Sequence, residues 1–449
     1  MRFFFLLLLL GLMGSSLAQV STDTKASPAF VFFQRVDVKA FVGKPYRLTA
    51  RVKVTGLAAD STQANVFASV FDKKKKYVGG IGFGKMRARK RDGVWRTYTG
   101  GGRLPTTAAL LNLSANVYLN GTFGFDDFRL EVATGKDQWQ NVPLINADFS
   151  AATADSASIA NGLPIGWKPY YRVAEFSAAT ATEDSGNRYL EITGRGIVNY
   201  GKNASAGRTV AVNGIKMYYE TYGSGEPLLL LHGNEQSIGD FRAQIPALAQ
   251  HFRVIAVDTR AQGQSTTNGQ ELTYDLFAED MNALLDALRI PKAHVVGWSD
   301  GGNTGLSLAI HHPEKVNQLV TMGANLYADT TAVTVATLKE VRQGKMLTTL
   351  MWPFSKRMRQ MRPLMALLLK YPRMKPAELA AIKAQVLVLA GEKDLIKDEH
   401  TRLIARSIPK GQVQILPGLT HYAPQENPAM FNAAVLQFLQ AVPAPPPAK

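Results

Sequence analysis

A serine, an aspartate and a histidine stand in this chain in an order and in surroundings that would make a nucleophile. Ser299 lies in Gly297-Trp-Ser-Asp-Gly301, between an apolar run at 294–297 and a helical pattern at 302–311. Small glycines on either side of a serine permit the strained strand-to-helix turn that lifts a hydroxyl clear of a sheet. Such a hydroxyl attacks a carbonyl only when a base takes its proton and an acid orients that base. Asp394 closes Gly391-Glu-Lys-Asp394 after the apolar run 385–390, and His421 closes Pro417-Gly-Leu-Thr-His421 after the run 413–416. Singly, each reads as a cap or loop residue. Together, in the order serine, acid, histidine and each after its own strand, they read as a catalytic triad. Glu392 and Asp398 are the neighbouring competitors for the acid. An oxyanion developing at the attacked carbonyl needs N–H donors, and the backbone N–H groups of Asn234 and Asp300 are the candidates. His232 precedes the serine and reads as a structural loop histidine. This chemistry needs no metal and no organic cofactor. Cysteine is absent, which excludes thiolate metal sites, disulfides and a cysteine nucleophile.

These residues must be held by a sheet. The segments 227–231, 254–257, 294–297, 318–322, 385–390 and 413–416 are short, almost wholly apolar and separated by helical patterns. Apolar strands alternating with helices indicate a parallel sheet covered on both faces, with its chemistry beyond the carboxyl ends of the strands. Ahead of them, Asn213-Gly214 between 210–212 and 215–219 marks a two-residue hairpin.

From 207 to 440 the chain resembles the α/β-hydrolase superfamily. The resemblance rests on Ser299, Asp394 and His421, on Leu231-His-Gly233, and on Asp258-Thr-Arg-Ala-Gln-Gly-Gln-Ser265, where Ala261 replaces a usual glycine. Val296-Gly-Trp-Ser-Asp-Gly-Gly302 and Met322-Gly-Ala-Asn325 are similar to biphenyl-hydrolase-like and valacyclovir-hydrolase-type esterases. Serine as nucleophile sets the chain apart from dehalogenases and epoxide hydrolases of that fold. The resemblance implies a helical lid at about 327–378 and substrate contacts by Trp298, Asp300 and Asn325. Asp300 has two readings: an acid favoured by the positive end of the following helix, or a partner for a cationic group on the substrate.

The first part of the chain follows another rule. Residues 26–134 alternate with period two, most clearly at Tyr46, Leu48, Ala50, Val52 and Val54, and turns of Gly, Asn and Asp interrupt them. Short strands at this spacing indicate an all-β sandwich. Gly43-Lys-Pro-Tyr46, Asp92-Gly-Val-Trp95 and Gly121-Thr-Phe-Gly-Phe-Asp-Asp-Phe128 resemble a galactose-binding-like jelly roll of the carbohydrate-binding-module kind. Ile145-Asn-Ala-Asp-Phe149, Leu163-Pro-Ile-Gly-Trp167 and Tyr189-Leu-Glu-Ile-Thr193 resemble the opening of such a module, placed late. The sandwich at 26–200 is therefore either permuted or followed by a truncated second module. Trp95, Trp139 and Trp167 are the sugar-stacking candidates, with Trp95 and Trp167 better explained as core. Nothing in the sandwich resembles a catalytic pair. A Gly-, Asn-, Ser- and Ala-rich stretch at 193–208 has linker composition.

The whole is 449 residues, long enough for two or three domains, with 46% apolar residues and a net charge of +16. That composition excludes a mostly disordered chain. The basic residues cluster at 73–76, 87–91 and 356–375. They read as solvated surface or as attraction to carbohydrate or an anionic envelope; no nucleic-acid motif accompanies them. Residues 1–18, Arg2 followed by a short apolar run and small residues, read as a signal peptide cut after Ala18, so the chain is expected to be exported. No later segment is apolar enough to span a membrane. A Pro-rich tail occupies 441–449. The expectation is a multidomain protein: a jelly-roll sandwich followed by an α/β-hydrolase domain that cleaves a small carboxylic ester. Amidase, aminopeptidase or perhydrolase chemistry on the same triad is the alternative. So is a carbohydrate- or envelope-binding protein whose hydrolase domain is secondary.

Overall fold

The period-two pattern of the first half builds strands β1 (Ala29–Asp37), β2 (Pro45–Thr55), β3 (Gln63–Phe71), β4 (Tyr77–Ala88), β5 (Arg96–Arg103) and β6 (Leu110–Tyr118). They continue as β7 (Gly121–Gly135), β8 (Gln138–Val142), β9 (Lys168–Tyr171), β10 (Phe176–Thr182) and β11 (Arg188–Gly194). The computed structural model describes residues 29–56, 63–151, 162–171 and 175–441; residues 1–18, expected as a signal peptide, and all but Ala441 of the segment 441–449 lie outside them. The chain divides into two compact units, 1–199 and 200–449.

In the first unit the strands pair in the order β4-β3-β6-β1-β9 and β10-β11-β7-β2-β5, with β8 against β7. Tyr46, Leu48, Ala50, Val52 and Val54 of β2 all point inward, as their alternation requires. One core takes side chains from both sheets, with Phe30, Phe32, Phe123, Phe125, Phe128, Phe149 and Phe176 buried in it. Each such ring stabilises the fold by roughly 1.5–3 kcal/mol relative to exposure. The late motifs do not begin a second module. β9 lies antiparallel to β1, β11 lies antiparallel to β7, and Trp167 packs on Phe32, Phe128 and Phe149 in the same core. There is one sandwich.

The tryptophans are not free platforms. Trp167 is buried and donates its indole N–H to the Asn146 carbonyl. Trp95 is not core, contrary to expectation: Arg51 and Lys53 lie over its ring at 5.0 and 4.8 Å, and its N–H donates to Glu183. Arg47 covers Trp139 at 4.5 Å. Three cations from alternate positions of β2 thus occupy the ring faces a sugar would need.

The second unit contains β12 (Gly207–Val212), β13 (Ile215–Tyr222), β14 (Pro227–Leu231), β15 (Arg253–Val257), β16 (Ala293–Trp298), β17 (Val316–Met322), β18 (Gln385–Lys393) and β19 (Gly411–Thr420). The order is β12-β13-β15-β14-β16-β17-β18-β19, parallel from β15 onward. Helices α1 (Tyr274–Ala287), α2 (Asp300–His311), α3 (Val335–Met351), α4 (Lys356–Lys370), α5 (Asp398–Ser407) and α6 (Pro428–Gln440) accompany it. The apolar run of β14 is explained by burial on both faces. Leu229 and Leu231 enter one core, Leu228 and Leu230 the other. From β14 the chain moves to β15 on one side and then to β16 on the other. That reversal opens a crevice at the carboxyl ends of β14 and β16. The end of the linker-like stretch already belongs to this unit: the buried Glu220 accepts from the Gly201 and Asn203 N–H groups, both at 2.8 Å.

Candidate active site

β16 runs into Ser299 and then directly into α2. Ser299 adopts φ 56° and ψ −116°, a strained conformation for a residue with a Cβ. Steric reasons fix both flanking glycines. A Cβ on Gly297 would stand 2.2 Å from the Gly301 carbonyl oxygen, and one on Gly301 would stand 2.0 Å from that of Leu231. The turn is pinned where Ser299 N–H donates to the Met322 carbonyl at 2.7 Å.

The three distant residues converge here. The Ser299 hydroxyl is 2.9 Å from His421 Nε2, and His421 Nδ1 is 2.7 Å from Asp394 Oδ1. An ionised carboxylate only accepts, so Nδ1 carries the proton and Nε2 is free to accept from the serine. Asp394 is held in turn by the N–H groups of Ile396 (3.0 Å) and Gly391 (3.3 Å). Glu392 instead accepts from Gly418 N–H, and Asp398 pairs with Arg402 on the surface; neither is turned to His421. His232 is buried, and burial pushes its pKa down to about 4; its Nε2 accepts from Thr259 N–H at 3.1 Å, which fixes a neutral structural ring.

Gly233 N–H donates to Gln236 Oε1 at 2.7 Å and is therefore spent. The next N–H on that turn is Asn234's. Asp300 N–H belongs to the first turn of α2, where N–H groups have no intrahelical acceptor. A Cβ on Gly233 would be 3.1 Å from the Ser299 Cβ, so the loop after β14 passes directly beside the serine.

The expected substrate contacts are placed otherwise. Trp298 is fully buried, and its indole N–H donates to the His421 carbonyl at 2.8 Å; it holds the loop that carries the base. Asn325 exchanges two hydrogen bonds with Asn303 and donates to the Tyr327 carbonyl, so its amide is committed at the base of the lid. The Asp300 carboxylate is buried and doubly partnered: Tyr274 hydroxyl donates to Oδ1 and Asn234 Nδ2 to Oδ2, both at 2.8 Å. Burial raises its pKa, opposed by those two hydrogen bonds and by His421 nearby. It is neither a bare helix-end acid nor an acid presented to a ligand. Asn234 Nδ2 also donates to the Leu364 carbonyl of α4 at 3.4 Å, which ties the lid to the loop after β14.

Residues 226–350 match the family model described as alpha/beta hydrolase fold. The second unit has an α/β-hydrolase fold. Its homologues carry hydrolase names. The 2-hydroxy-6-oxo-6-(2'-aminophenyl)hexa-2,4-dienoic acid hydrolase of Metapseudomonas resinovorans is 36% identical over 127 residues, 27% of this chain and 44% of that protein. The human serine hydrolase BPHL is 36% identical over 124 residues, 26% of this chain and 43% of that protein. The chain thus spans less than half the length of these curated relatives. A solved hydrolase from Pseudomonas aeruginosa PA01 is 27% identical with a TM-score of 0.43, covering 53% of this chain and all of that one.

Two residues of the second unit have roles in the site that the sequence did not assign them. Gly323, with φ 63°, is the floor under the base: a Cβ there would stand 2.5 Å from His421 Cε1 and 3.4 Å from Asp394 Oδ2. Its signal is present in Met322-Gly-Ala-Asn325, a glycine immediately after an apolar strand. Tyr274 gives no such signal, because it reads as an ordinary apolar residue opening α1.

Proposed function

We propose that the second unit is a serine hydrolase that cleaves a small carboxylic ester through an acyl-enzyme on Ser299. What supports this is the relay of 2.9 and 2.7 Å from Ser299 through His421 to Asp394, set on a strained turn between β16 and α2. His421 Nε2 takes the hydroxyl proton as Oγ attacks. Asp394 stabilises the imidazolium and keeps its orientation. The Asn234 and Asp300 N–H groups receive the oxyanion, His421 returns the proton to the leaving alkoxide, and a water repeats the sequence on the acyl-enzyme. An appended sandwich and export through residues 1–18 belong to the same proposal. N-terminal sequencing of secreted protein, expected to begin at Gln19, checks the export.

Turnover of short nitrophenyl esters by wild type and Ser299→Ala is the test. A loss of at least about 10⁴-fold is expected, since an isolated donor pair and binding surface retain only the residue of a triad's rate. Equal rates in the two proteins overturn the reading. Nitroanilides in the same assay separate ester from amide cleavage.

A further inference from the structure

The hairpin of α3 and α4 carries large apolar side chains in water at its tip. Phe354 is 83% exposed, Leu350 60% and Trp352 43%, and Met346 stands 69% exposed one turn earlier on α3. Soluble surfaces scatter such residues singly; a group of them at one turn marks a contact site. The same hairpin is strongly basic. Between residues 335 and 373 there are nine lysines and arginines and one acid, Glu340. The first turn of α4 contains no acid although Lys356, Arg357 and Arg359 stand there, against the preference of a helix N-terminus for negative charge. Helix stability does not account for that arrangement.

The cations are gathered around the tip. Arg359 donates to the Trp352 and Pro353 carbonyls at 3.3 Å each, and Arg362 lies over the Trp352 ring at 5.6 Å. A cavity of about 570 Å³ opens between the helices, lined by Lys345, Trp352, Arg359, Arg362 and Lys370, with Glu271 as the acid among its walls. Glu271 is already paired with Lys370 at 2.8 Å. Burial, and after it the charges of Arg362 and Lys370, pull the Lys345 pKa below its usual value.

We propose that this tip docks on an anionic phospholipid surface. Leu350, Trp352 and Phe354 enter the boundary of the acyl chains, while Lys345, Arg359 and Arg362 meet a head-group phosphate at the mouth of the cavity. A free anion would answer the surplus charge and leave the apolar tip in water. An apolar protein groove would cover the tip and leave the excess positive charge uncompensated. A charged lipid interface supplies both layers within the reach of one helical turn. The inference rests on the lid alone and holds whether or not Ser299 is a nucleophile.

The test is sedimentation of the full chain with vesicles of phosphatidylcholine, alone or with a third of phosphatidylglycerol. Binding to the anionic vesicles is expected to exceed binding to neutral ones by about tenfold and to fall steeply with added salt. Phe354→Ser, Leu350→Ser and the charge reversal R359E/R362E are each expected to lower it fivefold or more. Reversal of Lys74 and Lys75 in the sandwich turn should leave it within twofold. Nitrophenyl-ester turnover and melting temperature, unchanged in the serine variants, show that the fold is intact. Undiminished binding by both serine variants overturns the proposal in favour of general attraction by a cationic protein. Displacement by millimolar inorganic phosphate with no effect of the serine variants overturns it in favour of an anion site. Concentration-dependent self-association abolished by Phe354→Ser, without vesicle binding, overturns it in favour of a second copy of the chain.

Discussion

The sandwich and the hydrolase unit solve one problem, pinning irregular backbone beside a sheet, with different side chains. In the sandwich the pins between distant segments are neutral amides. Gln34 exchanges two hydrogen bonds of 2.8 Å with the Ile145 backbone, and Asn120 does the same for Ile197 at 2.7 and 2.8 Å. Its carboxylates mostly serve their own turns, as Asp72 does for the Lys74 and Lys76 N–H groups; the buried Asp126, whose pKa burial raises, accepts from the distant Asn187. In the hydrolase unit the pins are carboxylates and imidazoles. Asp258 accepts from the Ile238 and Gln264 N–H groups, Glu220 from those of Gly201 and Asn203, and His400 from that of Leu326. The cause is topological. Antiparallel strands return through short turns that satisfy themselves, whereas a parallel sheet collects long loops at one edge, and their N–H groups require strong acceptors. The lesson is that the unit carrying the candidate triad is also the one that fixes its buried loops through titratable side chains.

The largest expected effect tests how tightly that edge is packed. Gly323→Ala should lower kcat for a nitrophenyl ester by about 10²-fold or more, because a methyl 2.5 Å from His421 Cε1 moves the base by nearly an ångström. Gly186→Ala in the sandwich, with φ 83° and open space around its Cβ position, should cost about 1–2 kcal/mol of stability and leave turnover alone. Equal loss of activity in both would show that the two units are not separable in this way.

The next effect is a pH dependence centred on His400 of the second unit. Burial, partly offset by Asp329, pushes the His400 pKa down to about 4 from its ordinary 6.5. Stability from the neutral ring is fully present above pH 6.5 and is lost as pH falls toward 4. Asp258, pushed up to about 7 by burial, acts in the opposite sense, gaining as pH falls below 7. Comparison with His400→Gln cancels it. Between pH 7 and pH 4, wild type should lose on the order of 3 kcal/mol more than the variant in denaturant titrations, the equivalent of the His400 shift. Parallel pH curves for the two proteins would contradict a neutral buried His400.

Smaller effects attend the network around Asp300. Tyr274→Phe removes one of its two donors and should cost about 2 kcal/mol of stability, with kcat falling and KM unchanged as Asn234 loosens. A rise in KM alone would place Asp300 among substrate contacts instead. The smallest expected effect is none. Because both carboxylate oxygens are taken, amino-acid esters and their deaminated analogues should react within about twofold of each other in wild type and Asp300→Asn, well short of the roughly ten- to hundredfold of a charge-assisted contact. A larger preference for the amine, lost in the variant, would restore the acid to the pocket.

Much of this was legible before any fold was in view, and for local reasons. β14 begins and ends at Pro227 and Leu231 as its apolar run does, the Asn213-Gly214 hairpin pairs Val212 with Ile215, and the alternation of β2 faces inward as written. Strand period, turn residues and the two glycines around Ser299 are properties of neighbouring residues, and a linear text records them. The order of serine, acid and histidine was readable too, because each follows its own strand. What the sequence left open are meetings between residues far apart in the chain. Trp298 is 123 positions from the carbonyl it holds, Asn234 is 66 from Asp300, and Gly323 makes room for an imidazole almost a hundred residues on. Nothing in the type of a tryptophan or an aspartate beside a nucleophile says whether it faces a ligand or an interior partner. The same holds for the late sandwich motifs, which only strand pairing assigns to the first core. Local sterics and periodicity are written residue by residue; which polar group satisfies which is decided when burial removes water and the nearest partner in space takes its place.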